Sequence, residues 1–156
     1  VDDGLINPLT SGHQPVTENE NAARELDGTR ASVRTAGFRH LLHLLHSEGV
    51  AKWRLAAESL SLAACADPAK LAGIYPRKGT LRIGADADVV ILDPNTTHEA
   101  EGTDGGAGHH DPYAGINIMG EIAAVFRSGV QVRGRGAVDA SRVPPGQYLD
   151  RRVSLG

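Results

Sequence analysis

The chain has 156 residues, and 16 Lys plus Arg against 19 Asp plus Glu leave a net charge of −3. This balance argues against a general nucleic-acid binder, which would carry a clustered basic face, and the 40% hydrophobic content argues against a disordered tail. Cys65 is the only cysteine, which excludes an internal disulfide framework and a cysteine-based zinc site.

The chain opens on Val1-Asp2-Asp3-Gly4, with no initiator Met, no basic stretch and no apolar stretch. The expectation is a natural start further upstream and no secretory signal. No run of about 18 apolar residues occurs, so no membrane span and no membrane partner is expected, and a cytoplasmic location fits best.

Leu5-Ile6-Asn7-Pro8-Leu9 reads as a short strand, and Thr10-Ser11-Gly12-His13-Gln14-Pro15 as the loop at its C-terminal end. Residues 16–35 are polar and without period, and read as a surface loop with one helical turn near Glu18–Glu25. From Phe38 to Ser47 the pattern is helical. At about 100° per residue, Leu41, Leu42, Leu44 and Leu45 fall on one side of the wheel. His40, His43 and His46 fall on the other. A metal site is the tempting reading of those histidines. The outer two stand about 9 Å apart along the axis, wide for one tetrahedral ion, so the expectation is a solvated polar face. A second helix is expected from Arg54 to Ala64 and a third from Asp67, an N-cap candidate followed by Pro68, to Gly73.

The period then changes to two. Thr80-Leu81-Arg82-Ile83 reads as a strand, Gly84 to Asp88 as a turn, and Val89-Val90-Ile91-Leu92 as a buried strand ended by Asp93-Pro94-Asn95. Asp86 and Asp88 look like paired carboxylates, but their place between two strands makes them turn residues that bond nearby backbone. Residues 99–118 form a Gly-rich loop in which His109-His110-Asp111 is a second metal candidate, weighed against adjacent histidines that line a surface. Glu121–Arg127 and Val130–Arg133 form a hairpin around Ser128-Gly129. The chain closes on an extended tail from Val143. Cys65 among alanines reads as a small buried residue, and Trp53 and Tyr148 as packing anchors.

Several segments carry a family resemblance. Asp67-Pro68-Ala69-Lys70-Leu71-Ala72-Gly73-Ile74-Tyr75-Pro76-Arg77-Lys78-Gly79 resembles the N-P-A-K-x-x-G-x-x-P-x-K-G segment of cyclic amidohydrolases, and Gly84-Ala85-Asp86-Ala87-Asp88 resembles the hairpin that follows it. Ser47-Glu48-Gly49-Val50 is similar to the SEGV segment of dihydropyrimidinases and hydantoinases. His109-His110, Tyr113-Ala114-Gly115, Met119-Gly120, Arg127-Ser128-Gly129 and Gly146-Gln147-Tyr148-Leu149-Asp150-Arg151 resemble later segments of the same enzymes. Allantoinase and dihydroorotase share much of this pattern.

The resemblance implies an α/β plus β architecture. Residues 1–74 would be the end of a metal-dependent TIM barrel (its last strand and helices). Residues 75–142 would be the C-terminal share of a small β-sandwich, and 143–156 an extended tail. It implies hydrolysis of a cyclic amide C–N bond by two zinc ions bridged by a carboxylated lysine, in a homo-oligomer. The family's His-x-His pair, its lysine and two further histidines would all lie upstream, so no cofactor is expected to be held by this chain alone. One catalytic residue of the pattern, the strand-eight Asp of a T/S-D-H-x-P segment, should fall inside it. This chain reads Ser11-Gly12-His13-Gln14-Pro15, with Gly12 at the Asp position. Ser11 and His13 remain as candidate substrate-contacting residues, and the family's substrate-contacting Asn would align near Val33. Three readings follow: a C-terminal portion completed by a missing N-terminal barrel portion or a homologous subunit; a catalytically dead scaffold of the dihydropyrimidinase-like kind; or a small binding module.

Overall fold

The computed structural model describes residues 8–11, 40–100 and 113–151. Two helical runs precede a sheet. The first run is α1 (Leu41–Leu44), continued by a π-helical segment, Leu45–Val50, in which Ala51 N–H reaches back five residues to His46 O. The second run is α2 (Ala57–Ser61), a π-helical segment (Leu62–Ala66) and α3 (Asp67–Leu71).

The second run differs from the two separate helices expected. Asp67 does not cap a new helix, because Ala66 before it already has helical dihedrals. The helix accommodates Pro68 by widening one turn earlier, where Asp67 N–H bonds Leu62 O instead of Ala63 O. The buried face of this run is Leu60, Ala63, Ala66 and Ala69, spaced by three, so the core here is narrow and built on alanines. The chain after α3 folds back closely onto it. Gly79 has φ +81°, and a Cβ there would lie 2.6 Å from Cys65 O, so only glycine fits.

Residues 80–83 are not a strand. They have no ladder partner among the described residues, and Leu81 is 80% exposed. The sheet runs β1 (Val89–Glu99), β2 (Asn117–Arg127) and β3 (Val130–Arg133), antiparallel in that order. β1 does not stop at Asp93-Pro94-Asn95. Its register jumps between Asp93, opposite Glu121, and Thr97, opposite Met119. The extra residues form a bulge that takes Pro94, which has no N–H to give a ladder, and Asn95 N–H bonds Asp93 Oδ1 instead. The β2–β3 turn is as expected: Ser128 (φ 49°) and Gly129 (φ 80°) are both left-handed, as a type I′ turn requires. Ile118 on β2 is the fully buried large side chain. After β3 the chain has a 3-10 turn, Ala140–Arg142, and then no regular structure through residue 151.

Candidate functional site

The segment expected to lead into the loop after the last barrel strand is the first candidate. Pro8 to Ser11 lies against the second helical run, where Leu9 N–H donates to Ala63 O at 3.1 Å. The sequence makes that acceptor available. In the widened turn, the carbonyl of Ala63 would be met by the N–H of residue 68, and residue 68 is a proline. A helix carbonyl freed by Pro68 therefore anchors the segment that leads to Gly12. Ser11 is half-buried at the end of this segment. Gly12, His13 and Val33 lie outside the described residues, as do residues 16–35 and His109-His110-Asp111.

The histidine stripe is placed opposite to expectation. His40, His43 and His46 are buried, together with Ser47, while Leu41, Leu42, Leu44 and Leu45 are only half-buried. The cause is docking of the first helical run against β2, whose residues come about 70 positions later in the sequence. His46 Nδ1–H donates to Met119 O (2.9 Å), and Ser47 Oγ accepts from Met119 N–H (3.0 Å). Both polar groups of one β2 residue are thus taken by two adjacent helix residues. They face the edge of β2 that short β3, paired only at Val125–Arg127, leaves uncovered. Gly120 makes the approach possible: its φ is +100°, and a Cβ would sit 2.5 Å from His46 Nδ1. The His43 ring meets the His98 ring of β1 edge-on, with centroids 5.5 Å apart, and His40 meets Tyr113 at 6.4 Å.

The paired carboxylates are tied to cations. Lys78 Nζ bonds Asp86 at 2.8 Å and also Asp88, while Arg77 bonds Asp86 at 3.2 Å. Asp88 also accepts from Ser128 N–H at 2.8 Å, which links this turn to the β2–β3 turn. The Lys78 ammonium holds the Asp86 carboxyl below its ordinary range. At Asp88, burial pushes the carboxyl up, and the Lys78 and Ser128 bonds outweigh it and bring it down. At Lys78, burial pulls the ammonium down, and the two carboxylates outweigh it and raise it. Two ionised carboxylates around one lysine form a clasp; neither is poised to exchange a proton at neutral pH.

Three further expectations are corrected. Cys65 is exposed, because the buried face of its helix passes through Ala63, Ala66 and Ala69 instead; partial burial of the thiol still raises its pKa. Trp53 and Tyr148 are not packing anchors: they are 96% and 87% exposed. A cleft of about 400 Å³, which sequence reasoning missed, lies between residues 73–77 and the tail. It is lined by Tyr75, Arg77, Arg82, Tyr148 and Asp150 among others.

No group of three or more His, Cys, Asp or Glu among the described residues is arranged to hold a metal ion. These residues therefore do not fit the two-zinc centre that the resemblance implies, and no chemical step is derived through one. Among the described residues no helix is long and apolar enough to cross a membrane.

Comparison with known proteins agrees with the motifs. The sequence model of the amidohydrolase family matches residues 5–132. The chain is similar to the L-hydantoinase of Paenarthrobacter aurescens, with 33% identity over 155 residues covering 97% of this chain and 33% of that protein. It is also similar to the D-hydantoinase of Geobacillus stearothermophilus, with 36% identity over 111 residues covering 69% of this chain and 23% of the relative. Among solved structures, the L-hydantoinase (dihydropyrimidinase) from Arthrobacter aurescens superimposes with a TM-score of 0.75 at 31% identity. That superposition covers 87% of this chain and 30% of the solved one. The chain thus spans about a third or less of the length of these relatives. It belongs to the amidohydrolase family.

Proposed function

We propose that this chain is the C-terminal portion of a cyclic-amide hydrolase of the hydantoinase and dihydropyrimidinase kind, and that it does no chemistry alone. The observation that carries the reading is the match of 97% of this chain to a third of an L-hydantoinase. In this reading residues 1–74 close a TIM barrel, 75–142 complete a small sandwich and 143–156 form a tail. The zinc ligands and most of the catalytic groups come from the barrel portion outside these residues, or from a homologous subunit in an oligomer. This chain's own share is structural. Pro68, Ala63 and Leu9 position the segment that leads into the loop after the last strand, and Ser11 and His13 are the candidate substrate-contacting residues. The location is cytoplasmic.

Gly12 supports a second reading, a scaffold of the dihydropyrimidinase-like kind without activity. Glycine offers neither a metal ligand nor a proton acceptor, and a positioned acid–base group is worth about 10²–10⁴-fold in rate. The test is a ring-opening assay of hydantoin and dihydrouracil at saturating zinc, with the complete natural gene product and its Gly12→Asp variant. A weak parent and a variant faster by at least about 10²-fold support the hydrolase reading. Two inert proteins, folded and metal-loaded, support the scaffold. A fully active parent would show that another group, His13 being nearest, moves the proton.

A further inference from the structure

The cleft between residues 73–77 and the tail holds charges that the fold does not use. Its volume of about 400 Å³ lies within the range of small-molecule sites. One wall is well tied. Lys78 N–H bonds Ile74 O, Asp86 N–H bonds Arg77 O and Ala85 N–H bonds Arg82 O, and the Lys78 clasp closes the same turn. Arg77 on this wall is matched by Asp86 at 3.2 Å. Arg82 on the same wall and Asp150 on the tail wall are different. Neither makes a hydrogen bond or ion pair with any described residue, and they do not pair with one another. Two opposite charges that line one cleft and stay apart leave room between them for a molecule carrying both.

We propose that this cleft binds a small zwitterion of the α-amino acid class, its carboxylate on Arg82 and its ammonium on Asp150. The class follows from the charges: with Arg77 neutralised by Asp86, one cation and one anion remain. A ligand with a single charge would meet one of them and leave the other unpaired. The Arg82 guanidinium offers a fork of N–H donors to a carboxylate, and the Asp150 carboxylate accepts from an ammonium. Tyr75 and Tyr148 line the same cleft. Lys70 already stands over the Tyr75 ring at 5.6 Å, whereas the Tyr148 ring is open to solvent. An aromatic ligand side chain would cover the Tyr148 ring.

The experiment uses the complete natural gene product and calorimetric titration with three probes. They are phenylalanine (each enantiomer in turn), hydrocinnamate, which lacks the ammonium, and phenethylamine, which lacks the carboxylate. One enantiomer of phenylalanine at least should saturate at one molecule per chain and bind about 10-fold or more tighter than either analogue. Arg82→Gln should abolish the preference over phenethylamine, and Asp150→Asn the preference over hydrocinnamate. A merely structural loss would weaken all three probes alike. The absence of saturable binding overturns the proposal, as does an analogue that binds as well as phenylalanine. Either preference surviving its own substitution places the ligand elsewhere and also overturns it. Where a charge variant does not fold, Tyr148→Ala decides: phenylalanine should bind about 3-fold or more weaker, and unchanged affinity overturns the proposal.

Discussion

The helix–sheet junction and the Lys78 clasp use polar side chains in opposite ways. At the junction, His46 and Ser47 are buried and bond one backbone unit of β2. In the clasp, Asp86, Asp88 and Lys78 are part-exposed, and three charges hold a turn against its neighbour. A buried group left without its partner loses a hydrogen bond and stays desolvated, whereas an exposed ion falls back on water. The junction should therefore be sensitive to single atoms and the clasp tolerant of them.

The largest effect is expected at Gly120. Gly120→Ala places a methyl 2.5 Å from His46 Nδ1 and forces alanine into φ +100°. It should cost about 3 kcal/mol or more, as combined overlap and backbone strain do. A melt that shifts by less than about 1 kcal/mol would mean that the helix is not seated on β2 as described. Adding His46→Ala should restore part of the loss, and a double-mutant cycle reads the coupling.

Ser47→Ala comes next. Met119 N–H keeps its position and loses its acceptor, at about 1–2 kcal/mol. Ser47→Thr, which keeps the oxygen, should cost less, and equal costs would show that the hydroxyl is not what matters.

The clasp should give the smallest change. Lys78→Met is expected to lower the melting midpoint by no more than a few degrees at neutral pH. Its signature lies in pH dependence. The carboxyls of Asp86 and Asp88 are held below their unfolded range, so the clasp contributes above about pH 4 and is lost as pH falls through the lower folded values. Lys78 is held above its unfolded value, so its share is complete below about pH 10 and is lost as pH rises beyond. Melts from pH 2 to 5 should fall more steeply with acid in the parent than in Lys78→Met. Parallel slopes would remove the clasp from the account. A fourth measurement reads exposure directly: Cys65 should be titrated by a thiol reagent in the native state, yet slowly at pH 7 because its thiol is held protonated.

What was legible in the sequence was what the chain decides locally. The Ser128-Gly129 turn is set by two residues able to take positive φ, and hairpin register follows from it. The family was legible because segments such as Pro68-Ala69-Lys70 and Gly84-Ala85-Asp86 stand in fixed order. The burial of the histidines was not legible. A helical wheel separates two faces but does not say which one meets a sheet formed some 70 residues later. Residues 80–83 alternate as a strand does, but alternation makes no ladder without a neighbour. For the candidate site, the anchoring of the loop was hidden in a missing donor. Pro68 read as a helix start, whereas its structural role is the carbonyl it leaves open at Ala63.

That open carbonyl has a kinetic meaning. Leu9 belongs to a short segment without regular structure, yet its amide is locked by a bond to a helix and should exchange with solvent only when the helix itself opens. Replacing Pro68 by alanine would supply a competing N–H inside the helix. The helix would gain a bond while the segment ahead of Gly12 was set loose, and the Leu9 amide would exchange on the timescale of a loop.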